Sequence, residues 1–170
     1  MKTTASKLVV DFPVTVEDLQ VDRVLQSQYT YDQNLVKLII GQKVKDAVNF
    51  QDVQFNPNVP VKIEGYEKLS PKLFQSLQEL ASARGHKGPV TCHLFISPGG
   101  SLSFPMHTDP DDVIVTVLEG SKEFIVACET VLVEAGEFLF IPRETPHMAC
   151  NVEDSLMLSI GFELFMEDKL

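Results

Sequence analysis

The sequence predicts a mainly β protein, a sandwich or barrel behind a shorter N-terminal part of mixed helical and irregular character. Three observations carry this reading. The texture changes near residue 90, from apolar residues at three- and four-residue steps to short β-branched runs separated by turns. The later runs are many, short and closely spaced, as in a sandwich or barrel. The composition, 44% hydrophobic and 22% charged over 170 residues, is that of one globular domain and excludes a disordered or collagen-like chain. The expected division is a single domain, 1–170, with residues 1–90 as the mixed part and 91–165 as the β core.

In chain order, Val16 to Ser27 and Tyr31 to Asn49 carry apolar residues at helical steps. Asn56, Pro57, Asn58 and Pro60 break that pattern. Ser70 to Arg84 is the clearest helix. Ser70 suits an N-cap, and Pro71 the first turn, where its missing N–H costs nothing. Leu73, Phe74, Leu77, Leu80 and Ala81 form its apolar stripe, and Gly85 ends it. Arg84 to Pro89 is expected as an exposed loop with a solvated His86. The expected strands are Thr91 to Ser97, Val113 to Leu118, Phe124 to Ala127, Val131 to Val133, Glu137 to Ile141 and Leu156 to Leu164. Pro98-Gly99-Gly100 and Glu119-Gly120 serve as turns. No internal repeat is present.

Charge and cysteine usage narrow the function. Lys plus Arg is 14 against 24 Asp plus Glu, a net charge of −10. Binding nucleic acid by its phosphates needs a basic face, so that class is excluded on charge. A basic protein or peptide remains compatible as substrate, alongside a small molecule. No apolar run approaches the ~20 residues of a membrane span. The first fourteen residues, interrupted by Asp11 and Pro13, make a poor signal peptide. Cys92, Cys128 and Cys150 form neither a disulfide framework nor a CxxC site. They are expected as buried thiols in a reducing cytoplasm.

Three features carry chemistry. His107-Thr108-Asp109 places two ligand types at i and i+2, which on an extended strand share one face. The run Gly136-Glu-Phe-Leu-Phe-Ile-Pro142-Arg-Glu-Thr-Pro146-His147 is a turn, an apolar strand and a Pro-bounded loop presenting a second histidine. Taken singly, His107 reads as a turn residue, His147 as a loop histidine, and Asp109 to Asp112 as a solvated turn. Taken together, His107, Asp109 and His147 have the composition of the two-histidine, one-carboxylate facial triad that holds Fe(II) with positions left open. The third feature is Lys122, just after Gly120. A lysine pointing into an apolar barrel is costly unless an anion meets it.

Residues 93–162 resemble the Jumonji-C and cupin-like 2-oxoglutarate oxygenases, nearest to the ribosomal oxygenase type. The resemblance rests on His93-Leu-Phe-Ile-Ser-Pro-Gly-Gly-Ser101, His107-Thr-Asp109-Pro-Asp-Asp-Val113, Leu118-Glu-Gly-Ser-Lys122 and the Gly136 to His147 block. It implies a double-stranded β-helix, the cupin or jelly-roll barrel, with the N-terminal helices packed on it. It implies His107, Asp109 and His147 as iron ligands and Lys122 as the partner of the far carboxylate of 2-oxoglutarate. The implied activity is hydroxylation of a C–H bond, with Fe(II), 2-oxoglutarate as cosubstrate and O2. Ser159 matches a hydroxyl residue near the cosubstrate. His93 and Phe95 stand where that group usually has an asparagine and a tyrosine. His93 can still donate a hydrogen bond; Phe95 cannot. The chain ends at Leu170, so the family's dimerisation helices and winged-helix domain are not expected.

Two other readings stay open beside this one. One is a metal-binding cupin that binds or isomerises a sugar, without 2-oxoglutarate chemistry. The other is a non-catalytic binding module. Lys122 separates the first rival from the oxygenase, because a sugar cupin has no use for a buried lysine at that spacing. Pairing through the sheets into a homodimer is also left open.

Overall fold

A computed structural model describes residues 5–169. The start of the segment weighed as a signal peptide, residues 1–4, lies outside the described residues. Among the described residues, ten antiparallel strands form the body. They are β1 (Ser6–Leu8), β2 (Val36–Ile40), β3 (Lys43–Asp46), β4 (Val61–Ile63), β5 (Val90–Ser97), β6 (Asp112–Val126), β7 (Glu129–Glu134), β8 (Phe138–Ile141), β9 (His147–Cys150) and β10 (Ser155–Phe162). Eight of them run in the order β1-β8-β6-β10-β5-β4-β2-β3, while β7 and β9 both pair with the second half of β6. β6 thus belongs to two sheets, which face each other as the walls of a double-stranded β-helix.

The change of sheet happens at Gly120. Its φ is +72°, and a Cβ there would come within 2.0 Å of the Asp154 carbonyl oxygen. Only glycine meets both conditions. The sequence reading ended a strand at Glu119-Gly120; the strand instead continues through a bend, with a register irregularity opposite Leu156 and Met157.

Among the described residues, six α-helices accompany the barrel. They are α1 (Val16–Leu19), α2 (Val21–Gln26), α3 (Gln28–Asp32), α4 (Phe50–Gln54), α5 (Pro71–Ala83) and α6 (Met166–Lys169). α5 matches the clearest expectation, with the Ser70 hydroxyl accepting from the Leu73 N–H at 3.3 Å. Leu73, Leu77 and Leu80 of its stripe are buried, but Phe74 is exposed. The helical reading of Tyr31 to Asn49 fails. Helix α3 stops at Asp32, and β2 and β3 form a hairpin closed by Gly41 and Gln42, both at positive φ. That is the two-residue turn whose twist matches a hairpin, and the β-branched and apolar run Val36–Ile40 supplies its first strand.

Both faces of the main sheet are buried. Cys92, Leu94, Leu158 and Ile160 pack outwards under α5. Phe95, Val115, Val117, Met157 and, from the other wall, Phe124 pack inside the barrel. Strand alternation therefore sends His93, Phe95 and Ser97 inwards on β5, and Met157 and Ser159 inwards on β10. The cysteines depart from the buried reading. Cys92 is buried, Cys150 is half-buried, and Cys128 is exposed in the tight β6–β7 turn. His86 is not fully solvated, since its ring stacks edge-on against Phe162 at 5.3 Å.

Candidate metal and anion site

His107 lies on the segment before β6, and His147 opens β9. The two residues exchange backbone hydrogen bonds, His107 N–H to His147 O at 3.0 Å and the reverse at 2.9 Å. This isolated antiparallel bridge brings the rings to a centroid separation of 4.4 Å. Asp109 follows at i+2 on the same face, with Oδ2 3.3 Å from His147 Nε2. One ligand atom from each of the three residues falls in a cluster spanning no more than 4.8 Å.

The backbone sets the tautomers. His107 Nδ1 lies 2.8 Å from the Pro105 carbonyl oxygen, and His147 Nδ1 lies 2.9 Å from that of Thr145. A carbonyl only accepts, so each Nδ1 must carry the proton. Each neutral ring then keeps its Nε2 lone pair for a metal, the arrangement in which a backbone carbonyl orients a ligating imidazole. The donor set of two imidazole nitrogens and one carboxylate fits a divalent transition metal such as Fe(II).

Charge within the cluster is matched to cation binding. Before a metal binds, a protonated His147 donates from Nε2 to Asp109, and that hydrogen bond holds the Asp109 carboxyl below its usual range, against the opposing effect of burial. Burial pulls the His147 imidazole down, but the Asp109 carboxylate and the Thr145 carbonyl outweigh it and the net shift is upward. The loop before His147 is tied in place. The Asp109 carbonyl accepts from the Glu144 N–H at 2.8 Å, and Asp112 accepts from the Arg143 N–H at 2.9 Å and pairs with its guanidinium. Met106, beside His107, faces outwards.

Lys122 sits inside the barrel on the second wall and is 1% exposed. Its Nζ donates to Ser97 Oγ at 2.9 Å and lies 5.6 Å from the centre of the Phe95 ring. No carboxylate pairs with it among the described residues. Burial alone pushes its ammonium down to about 8. A cavity of about 70 Å³ lies between Lys122 and the triad, walled by Phe95, Phe124, Met157 and Ser159 among others. A second cavity of about 260 Å³ adjoins it at the barrel mouth and shares Phe95, Phe104, His107, Asp109 and Ser159.

The structure therefore gathers His107, Asp109, His147, Lys122, Phe95 and Ser159 around one cavity. It places His93 in the outer chamber instead, beside Lys62 and Thr91. The Gly65 N–H donates to His93 Nδ1 at 3.3 Å. Burial, helped by Lys62, pulls that imidazole down to about 4, so it is neutral with Nε2–H as its donor. Sequence reasoning missed Ser97, Phe104 and Lys62. Ser97 was findable, because residues 93, 95 and 97 share one strand face. Lys62 carried no signal, since its strand β4 was not expected. A larger cleft of about 1090 Å³ between α1, α2 and the β5 and β10 ends contains none of the triad.

Comparison with known proteins agrees with this geometry. Residues 93–161 match the family model described as a cupin domain. The bifunctional lysine-specific demethylase and histidyl-hydroxylase NO66 of Dictyostelium discoideum is 27% identical, over 79% of this chain and 34% of its own length. Its namesake from Branchiostoma floridae is 32% identical over 52% of this chain and 14% of its own. This chain thus spans about a third or less of those relatives. Among solved structures, the Escherichia coli ribosomal oxygenase YcfD superposes with a TM-score of 0.68 at 16% identity, covering 97% of this chain and 49% of that one. A further YcfD structure, in complex with cobalt and 2-oxoglutarate, gives a TM-score of 0.67 at 15% identity. At that identity the likeness establishes the fold, the cupin barrel.

Proposed function

We propose, from the premise that this chain is a cupin protein similar to the Jumonji-C-like 2-oxoglutarate oxygenases, that it is itself an Fe(II)- and 2-oxoglutarate-dependent oxygenase. It hydroxylates a C–H bond of a protein side chain, an amino acid or a small metabolite. The names of its relatives, a histidyl-hydroxylase and a ribosomal oxygenase, favour a protein side chain among these. The observation that carries the reading is Lys122, an unpaired buried ammonium facing the metal-ligand cluster across a small cavity.

His107, Asp109 and His147 would hold Fe(II), leaving open positions towards the barrel interior. When bound, Fe(II) with 2-oxoglutarate and O2 supplies an oxidative decarboxylation that yields succinate, CO2 and the hydroxylated product. The protein's own contributions are positional. Pro105 and Thr145 carbonyls hold both imidazoles with Nε2 presented to the metal. Lys122 meets the far carboxylate of 2-oxoglutarate, where a charge-assisted hydrogen bond away from water is strong. Phe95, Phe124 and Met157 keep water from the reacting end. The outer chamber, with Lys62, Thr91 and the His93 Nε2–H, receives the substrate beside the triad.

The test is thermal stability with Mn(II) in place of Fe(II), so that no turnover occurs. A ligand selective for the native state must raise the melting temperature. Millimolar 2-oxoglutarate is expected to do so for the parent and not for Lys122→Met. No shift in the parent would favour the cupin without 2-oxoglutarate chemistry.

A further inference from the structure

The cleft of about 1090 Å³ between α1, α2 and the ends of β5 and β10 lies away from the triad. Its floor is apolar, from Val16, Val21, Ile96 and Leu156. Four carboxylates line it, Glu17 and Asp22 from the helices, Glu119 from β6 and Asp154 from the turn before β10. All four residues are exposed, and none forms an ion pair among the described residues. Arg23 is the one cation in the lining, and its Nη1 donates to Gln20 Oε1 at 3.0 Å. Four negative charges against one positive leave the lining at −3. A cationic partner relieves that self-repulsion. A second observation is independent of charge. Ser155 lines the same cleft and is 7% exposed, and its Oγ has no hydrogen-bond partner. Opposite it on β5 stands Ser97, whose Oγ is already engaged by Lys122. A buried hydroxyl without a partner costs free energy that a bound polar group recovers.

We propose that this cleft is a docking site for a basic, extended peptide segment of a protein partner, remote from the metal site. Its volume exceeds the ~300–1,000 Å³ that encloses a drug-sized molecule, so a peptide segment suits it better than a single small cation. Lysine or arginine side chains lay their methylene stems on the apolar floor and reach the carboxylates with their charged ends. The Ser155 hydroxyl pairs with a backbone amide of the segment. The same carboxylates repel phosphate, so nucleic acid and anionic membrane surfaces are rejected. Ser97 and Ser155 stand six residues along their strands from Thr91 and Gly161 of the outer chamber, about 20 Å at the rise of a strand. An occupant of the cleft therefore leaves the chamber free. Docking here needs neither metal nor 2-oxoglutarate, so it stands apart from the oxygenase reading.

The experiment measures, by fluorescence anisotropy at low and high salt, the binding of a dye-labelled, acetylated and amidated peptide of alternating lysine and alanine. The parent is expected to bind it, more weakly as salt rises, and not to bind the same peptide with glutamate for lysine. Asp22→Asn with Glu119→Gln takes one charge from each wall. Both side chains are exposed and unpaired among the described residues, so the protein is expected to stay folded. This cleft pair should bind the peptide about fivefold more weakly, the worth of two exposed ion pairs, with a smaller salt dependence. Glu129→Gln with Glu134→Gln removes the same charge from β7, outside the cleft, and should bind like the parent. Ser155→Ala removes only a hydroxyl that has no partner in the fold. It should weaken binding about fivefold and leave the salt dependence as it is. A loss in the β7 pair as large as in the cleft pair would show attraction to overall charge and refute the docking site. Unchanged binding in both the cleft pair and Ser155→Ala would refute it too. Displacement of the labelled peptide by spermine as readily as by unlabelled peptide would assign the cleft to free polyamines and overturn the peptide reading. No binding by the parent would overturn it outright.

Discussion

Lys122→Met should make the ligand-free protein more stable near neutral pH, and the gain should vanish in alkali. The ordinary lysine value of 10.5 falls to about 8 in the folded protein because burial penalises the charge. At about 1.4 kcal/mol per unit, that is about 3 kcal/mol of instability. Below about 8 both states are protonated and the penalty is complete. Between about 8 and 10.5 the folded protein has released a proton that the unfolded chain still holds, so stability rises with pH across that window. Methionine of similar length escapes the penalty but leaves Ser97 Oγ without its donor, a loss of about 1 kcal/mol. The variant should therefore exceed the parent by about 2 kcal/mol near neutral pH and lose that advantage towards pH 10.5. The parent's own profile will not show the rise cleanly. Burial, reinforced by Glu67, holds the Cys92 thiol well above its usual value of 9.0, and burial with Asp52 holds Tyr31 up to about 12. Both groups keep protons in the folded state that the unfolded chain gives up, so they erode stability over the same alkaline range. The difference between parent and variant removes them. The assay is urea denaturation of both proteins over a pH series without 2-oxoglutarate. A stability difference that does not change with pH would show that Lys122 is not a buried ammonium, and the main argument for an anion site would go with it.

The other expectations are more direct. The double substitution His107→Ala, His147→Ala should abolish high-affinity Fe(II) binding, read by anaerobic equilibrium dialysis, while circular dichroism stays that of the parent; undiminished iron binding would refute the triad. Asp109→Asn keeps the shape but not the charge, so Mn(II) affinity should fall at least tenfold, the size expected when a ligand's charge is lost. Gly120→Ala should cost at least about 3 kcal/mol or prevent folding. Its Cβ would meet the Asp154 carbonyl at 2.0 Å in a left-handed backbone, and a melting temperature near the parent's would contradict the bend. Lys122→Arg keeps the charge in a larger group and should retain 2-oxoglutarate-dependent thermal protection in part, against none for Lys122→Met.

What the sequence made legible, and what it did not, follows from how local the signals are. The clustering of His107, Asp109 and His147 could be read because His107-Thr-Asp109 and Pro146-His147 carry their geometry in short segments, an i, i+2 face and a Pro-bounded loop. α5 could be read because Ser70, Pro71 and Gly85 punctuate a clean stripe. The β2–β3 hairpin was misread because Tyr31 to Asn49 offers apolar residues at steps that suit a helix in a short window. What decides for strands is a partner far away, since Val36, Lys37 and Leu38 pair with Ile63, Lys62 and Val61. Lys62 was lost with that misreading, because its strand exists only by pairing with β2 and β5. His93 had the right strand and face, but the Gly65 N–H and Lys62 that set its state come from the part of the chain whose pairing was not readable.

The bend at Gly120 explains why a single spacing in the sequence can report on a site built from two sheets. Val113, Val115 and Val117 line the barrel from the first half of β6, and Lys122 and Phe124 from the second. In an unbroken strand, Val117 and Lys122 are five residues apart and point to opposite faces. Here the bend and the irregularity opposite Leu156 and Met157 reverse that parity, so both reach the same interior. The Asp154 carbonyl lies against Gly120 and leaves no room for a side chain. Ser155, the next residue, is thereby pinned opposite Ser97, the acceptor for Lys122. The bend and the lysine environment are thus one structural unit. A residue inserted between Val117 and Lys122 should restore the outward parity of Lys122, and it should remove 2-oxoglutarate binding while His107, Asp109 and His147 still hold Mn(II). Retention of 2-oxoglutarate affinity after such an insertion would show that the Val117 to Lys122 register is not what aims the lysine.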